Sequence, residues 1–90
     1  IKVSTAWEAG CKGNGVNIVT VDDGMDVSHE DLSANYDRSL SINFVGSLDS
    51  GFSSAGSCDL VSSGCHGTAV SGIMAARDGN NIGVSGVAPR

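Results

Sequence analysis

Two stretches of this 90-residue chain carry side chains suited to acid–base chemistry: Asp22-Asp23-Gly24 and Cys65-His66-Gly67-Thr68. His66 stands at the head of a segment, Gly67 to Arg77, in which Val70, Ile73 and Met74 recur at helical spacing among small residues. A histidine at the first turn of a helix faces about half a positive charge from the aligned peptide dipoles, which disfavours its protonated form. A ring kept neutral near pH 7 is what a general base requires, and a carboxylate accepting from its other nitrogen would fix the tautomer and offset the dipole. Asp22 is the candidate for that carboxylate. Taken singly, His66 also fits a plain helix-cap or surface histidine, and Asp22 an ordinary loop acid.

The element that would deliver Asp22 is the run Val16-Asn17-Ile18-Val19-Thr20-Val21, rich in apolar and β-branched residues like a strand buried on both faces of a parallel sheet. Acids at the C-terminal end of such a strand sit where open α/β sheets place their ligands. Upstream, Thr5-Ala6-Trp7-Glu8 has capping-box spacing and predicts a short helix, ended by Gly10 and the pair Gly13/Gly15. Ser41 to Val45 is a weaker strand candidate, and the Ser-, Gly- and Asp-rich stretch 46–64 reads as a surface loop. Asp78-Gly79-Asn80-Asn81 breaks the second helix, and Ile82 to Ala88 resumes as an extended apolar segment. Trp7, Met25 and Met74 read as packing residues, and His29 as a surface turn residue. The order helix, strand, loop, strand, helix, strand predicts an α/β fold.

Ten acidic and five basic residues give a formal charge of -5, with no Lys/Arg cluster, so the electrostatic footprint of a nucleic-acid binder is missing. No apolar run approaches the roughly 20 residues needed to span a bilayer, and no signal-peptide pattern opens the chain. Ile1 rather than Met at the start, and the apolar run before Arg90 at the end, suggest that both termini lie inside a longer polypeptide. Three cysteines cannot all pair within the chain, and none has CxxC spacing. Cys58 and Cys65 bracket a short loop whose closure by a disulfide would contribute about 2.5 kcal/mol on a chain-entropy basis; free thiols are the alternative.

Val21-Asp22-Asp23-Gly24-Met25-Asp26-Val27-Ser28-His29-Glu30-Asp31-Leu32 resembles the subtilase segment around the catalytic aspartate. His66-Gly67-Thr68-Ala69-Val70-Ser71-Gly72-Ile73-Met74-Ala75-Ala76 resembles that family's catalytic-histidine helix. The likeness extends over 1–15 and 80–89, leaving only about 45–64 outside it. It implies the N-terminal part of a subtilisin-like catalytic domain, a three-layer α/β fold with a parallel sheet flanked by helices. The expected activity is that of a serine endopeptidase, with Asp22 as triad acid and His66 as general base, in the chain order acid, base, nucleophile. No motif of the nucleophile is present, so no serine here takes that role. The resemblance further implies a polypeptide substrate, the remainder of the catalytic domain and an inhibitory pro-segment as partners, and a secreted, periplasmic or cell-surface location.

Asp23, where many bacterial subtilisins carry Ser or Thr, is similar to the kexin branch, in which this carboxylate faces the subsite for the residue preceding the cleaved one and favours Lys or Arg. A companion acid three residues before the histidine in several kexin-type enzymes is Ser63 here. The resemblance also implies structural calcium held by the Asp31 carboxylate, the Asn80 side-chain oxygen and the main-chain carbonyls of Arg77, Ile82 and Val84. Hard oxygen donors on a Gly- and Asn-rich loop suit that ion. From a different class, an apolar strand ending in Asp-Asp also fits a receiver-like, magnesium-binding signalling domain, although that reading gives His66-Gly67-Thr68 no role. A non-catalytic, calcium-stabilised scaffold of subtilase descent is a third reading, separated from the first only by whether a serine follows.

Overall fold

The computed structural model describes residues 1–43 and 65–90. The first helix, α1 (Val3–Glu8), starts two residues before Thr5, with Lys2 at the N-cap and no side-chain cap, so the predicted capping box is not formed. Its C-terminus behaves as expected. Gly10 takes φ +86°, and the N–H groups of Cys11 and Gly10 return to the carbonyls of Ala6 and Trp7, both at 2.9 Å. Those two bonds satisfy carbonyls that a helix end leaves orphaned.

Residues 38–40 form a 3-10 turn (Arg38–Leu40), opened by Asp37, whose carboxylate accepts from Ser39 N at 2.8 Å. The second helix, α2 (His66–Ala75), follows Cys65, which gives no side-chain cap. Its C-terminal carbonyls find partners downstream. Gly86, Val87 and Ala88 donate their N–H groups to Ala76, Ile73 and Met74 at 2.8–2.9 Å. Gly86 lies so close that a Cβ there would strike the backbone of Ala75 and Ala76.

Among the described residues there is no strand. The predicted strand at 16–21 is irregular, with Val19 81% and Val21 88% exposed. Parallel strands are stable when laddered and covered on both faces, and no described segment pairs with this one. In the predicted extended run 82–88, the N–H groups of 86–88 bond to the end of α2 and that of Val84 to the Asp31 carboxylate, instead of to a neighbouring strand. Of the weaker candidate at 41–45, residues 41–43 are irregular and 44–45 lie outside the described residues. A parallel sheet is therefore an expectation that these residues do not form.

What holds the described parts together is a small core and a set of polar ties. Leu32, Ala76 and Pro89 are buried. Asn35 donates through Nδ2 to Ala75 O at 2.8 Å and to Pro89 O at 3.2 Å, and accepts from Arg77 Nη1. Trp7 Nε1 donates to Val87 O at 2.8 Å, joining α1 to the segment after α2. Lys12 and Arg90 both reach Asp78, at 3.0 and 2.8 Å; the Arg90 contact is an ion pair without hydrogen-bond alignment.

Candidate active site

Asp22 and His66, separated by 44 positions, meet. Nδ1 of His66 lies 2.9 Å from each carboxylate oxygen of Asp22, so Nδ1–H donates into the carboxylate and Nε2 is left facing outward. The Asp22 side chain is 17% exposed and the His66 side chain 73%. Asp22 Oδ1 also accepts from Asp23 N at 2.8 Å. That backbone bond is the main reason its carboxyl is held below the usual carboxylate range, with the His66 hydrogen bond second.

His66 titrates above the ordinary imidazole value because Asp22 accepts its hydrogen bond and, next in weight, because of Asp22's charge. The helix dipole alone favours the neutral ring, and the carboxylate 2.9 Å away outweighs it.

The segments that carry the pair touch at further points. Gly67 N donates to Asp23 Oδ1 at 2.8 Å, supplying the start of α2 with the acceptor that Cys65 does not. Asp26 N donates to Thr68 Oγ1 at 2.8 Å, and the Thr20 and Ser71 hydroxyls lie 3.3 Å apart. A Cβ on Gly67 would overlap the Gly24 carbonyl. The sequence reading assigned no role to Thr68 or Gly67; the available signal was a hydroxyl and a glycine in the opening turn of a helix, where free N–H groups and close backbone approach are concentrated.

The residues expected to hold calcium also converge in part. Asp31 is 1% exposed, its Oδ1 accepting from Asn80 Nδ2 at 2.7 Å and its Oδ2 from Val84 N at 2.8 Å, bonds that lower its pKa, Asn80 first. Arg77 N donates to the Asp31 carbonyl at 2.8 Å, and Ile82 N lies 3.4 Å from Asn80 Oδ1. A Cβ on Gly83 would overlap the Asp31 carboxylate, so the glycine permits the carboxylate to pack directly against the backbone there. The donor chemistry fits a hard cation, provided Asn80 presents Oδ1 rather than Nδ2 toward Asp31. Among the described residues no group of three or more His, Cys, Asp or Glu could hold a metal, so ligation here would rest on amide and carbonyl oxygens around one carboxylate.

Cys65 is disulfide-bonded, and Cys11 is a free, exposed thiol. Cys58, the expected partner of Cys65, and Ser63 lie outside the described residues. Among the described residues no helix is long and apolar enough to cross a membrane.

Comparison with known proteins bears on what this pair of side chains belongs to. The profile of the subtilase family matches residues 13–90. An extracellular serine protease of Aeromonas sobria is 43% identical over 88 residues, covering 94% of this chain and 12% of that protein. Human neuroendocrine convertase 2 is 40% identical over 96 residues, covering 98% of this chain and 13% of the convertase. A PC3-like endoprotease of Hydra vulgaris is 36% identical over 88 residues, with 98% and 12% covered. The chain thus spans about one eighth of the length of these relatives. No solved structure gives a significant match. A receiver-like fold has no support beside these matches. With the family profile covering most of the chain, both motif segments included, the chain belongs to the subtilase family and has kexin-like relatives.

Proposed function

We propose that these residues contribute the acid and the base of a serine endopeptidase that hydrolyses peptide bonds through an acyl-enzyme. The observation that carries this reading is the pairing of His66 Nδ1 with both oxygens of Asp22 at 2.9 Å. A serine supplied by the remainder of the catalytic domain attacks the scissile carbonyl. His66 Nε2 takes its proton and returns it to the leaving amine, while Asp22 holds the tautomer and stabilises the imidazolium. In the same reading the exposed segment 16–21 is a strand of the family's parallel sheet, covered when the rest of the domain is present.

Asp23 is the acid that favours Lys or Arg in the residue preceding the cleaved one; its exposed position beside His66 supports this, although one of its oxygens is engaged by Gly67 N. Structural calcium is held by Asp31 and Asn80 with the carbonyls of Arg77, Ile82 and Val84, a reading supported by the buried Asp31 carboxylate and its contact with the Asn80 side chain. The ion would brace the loop after α2 and takes no part in bond cleavage. The protein works in a secreted, periplasmic or cell-surface setting, with a polypeptide substrate and an inhibitory pro-segment as partners. The Cys65 disulfide fits an oxidising compartment, and one relative is named as extracellular.

The test is His66→Ala in the full-length protein, assayed on a peptide substrate: turnover should fall by about 10³-fold or more. Hydrolysis at the parent rate in that variant sinks the assignment, whereas a parent without any turnover leaves the non-catalytic scaffold as the better reading.

A further inference from the structure

We propose that Thr68 and Asp23 are positioning residues, clamping the turn that carries Asp22 onto the first turn of α2 and so setting where the His66 imidazole stands. The inference rests on the acyl-transfer reading of Asp22 and His66. His66 cannot be held by its own packing, since its side chain is 73% exposed. The residue before it offers no side-chain cap. What fixes the start of α2 is a pair of hydrogen bonds from the 22–26 turn, one on each of the next two residues: Gly67 N to Asp23 Oδ1 and Asp26 N to Thr68 Oγ1, both at 2.8 Å. In one bond the turn supplies the acceptor, in the other the donor, so the contact has a fixed register. Gly67, with no Cβ to meet the Gly24 carbonyl, permits the approach. Neither Thr68 nor Asp23 is hydrogen-bonded to the ring, so Thr68 acts through backbone placement alone and Asp23 through placement together with its charge. A displacement of about 1 Å in such a constellation can cost about 10²-fold in rate.

Thr68 is the cleaner probe because it carries no charge. In the full-length protein, Thr68→Val keeps the shape and removes the acceptor, while Thr68→Ser restores it. On a fluorogenic peptide cleaved by the parent, Thr68→Val should lower kcat about 10- to 100-fold with KM within about twofold, and Thr68→Ser should stay within about threefold of the parent. By proton NMR, the His66 titration midpoint should fall toward the ordinary imidazole value in Thr68→Val and hold in Thr68→Ser. Parent kcat in Thr68→Val, equal losses in both variants, or an unmoved His66 midpoint overturns the clamp. If Thr68→Val does not fold, Thr68→Ala poses the same question with less bulk: a loss of kcat that Thr68→Ser does not share supports the clamp, and parent kcat in Thr68→Ala overturns it. A parent without activity, or activity surviving His66→Ala, counts against the acyl-transfer reading alone. A His66-dependent parent with an unaffected Thr68→Val counts against the clamp alone.

Discussion

Because Nδ1 of His66 lies 2.9 Å from both oxygens of Asp22, the protonation of this pair should govern how activity and local stability respond to pH. The raised His66 pKa places the acid limb of kcat/KM above the ordinary imidazole value, since only the neutral ring can accept the serine proton. Asp22→Asn removes the carboxylate's charge and weakens its hydrogen bond, the two largest causes of that shift, so the limb should move to lower pH while kcat falls by about 10⁴-fold, as read from pH–rate profiles. A limb that stays in place would mean that Asp22 does not control the ring. The stabilising effect of the charged pair has two edges. His66 contributes fully below the ordinary imidazole pKa and loses the contribution as pH rises through its raised value. Asp22 contributes above the ordinary carboxylate pKa and loses it as pH falls through its depressed value. The pair is therefore intact between the lowered Asp22 value and the raised His66 value.

At the scale of elements, the contact between the 22–26 turn and α2 has little room. Gly67→Ala must displace the Gly24 carbonyl, and we expect a loss of about 1–3 kcal/mol in denaturant unfolding of the full-length protein, together with reduced activity. Unchanged stability would show that the turn and helix can part without cost. The segment after α2 gives a second test. If Asp31 and Asn80 hold calcium, saturating the ion at about 100 Kd stabilises the folded protein by about 2.7 kcal/mol, and chelation removes that gain. Asn80→Ala should abolish the calcium-dependent rise in Tm, and a rise of the parent's size in that variant would place the ion elsewhere. Both helices were legible from the chain, since Gly10 ends α1 as its type predicts and the Val70/Ile73/Met74 spacing marks α2. The start of α1 was not, because capping-box spacing at Thr5–Glu8 is local and the helix had already begun at Val3. The run 82–88 reads as a strand, yet its N–H groups go to the end of α2 and to Asp31; an apolar sequence does not say which acceptors its backbone will find.

For the molecule as a whole, the described residues bury few large apolar side chains and leave Val19 and Val21 almost fully exposed. A parallel sheet gains stability only when several strands are laddered and covered, so the 90-residue chain alone should melt without a cooperative transition by circular dichroism. A sharp two-state melt would contradict this. Sequence by itself determined the family, through two motifs in order, and named Asp22 and His66 as the candidate acid and base, because side-chain chemistry and short-range spacing are written in the residues. Tertiary structure decided that Asp22 and His66 touch, that Asp23 and Thr68 join the turn to the helix, and that Asp31 is buried against Asn80 and Val84. Those are contacts between groups 42 to 53 positions apart, fixed by which donors and acceptors the folded backbone brings within 3 Å, and no local pattern encodes them.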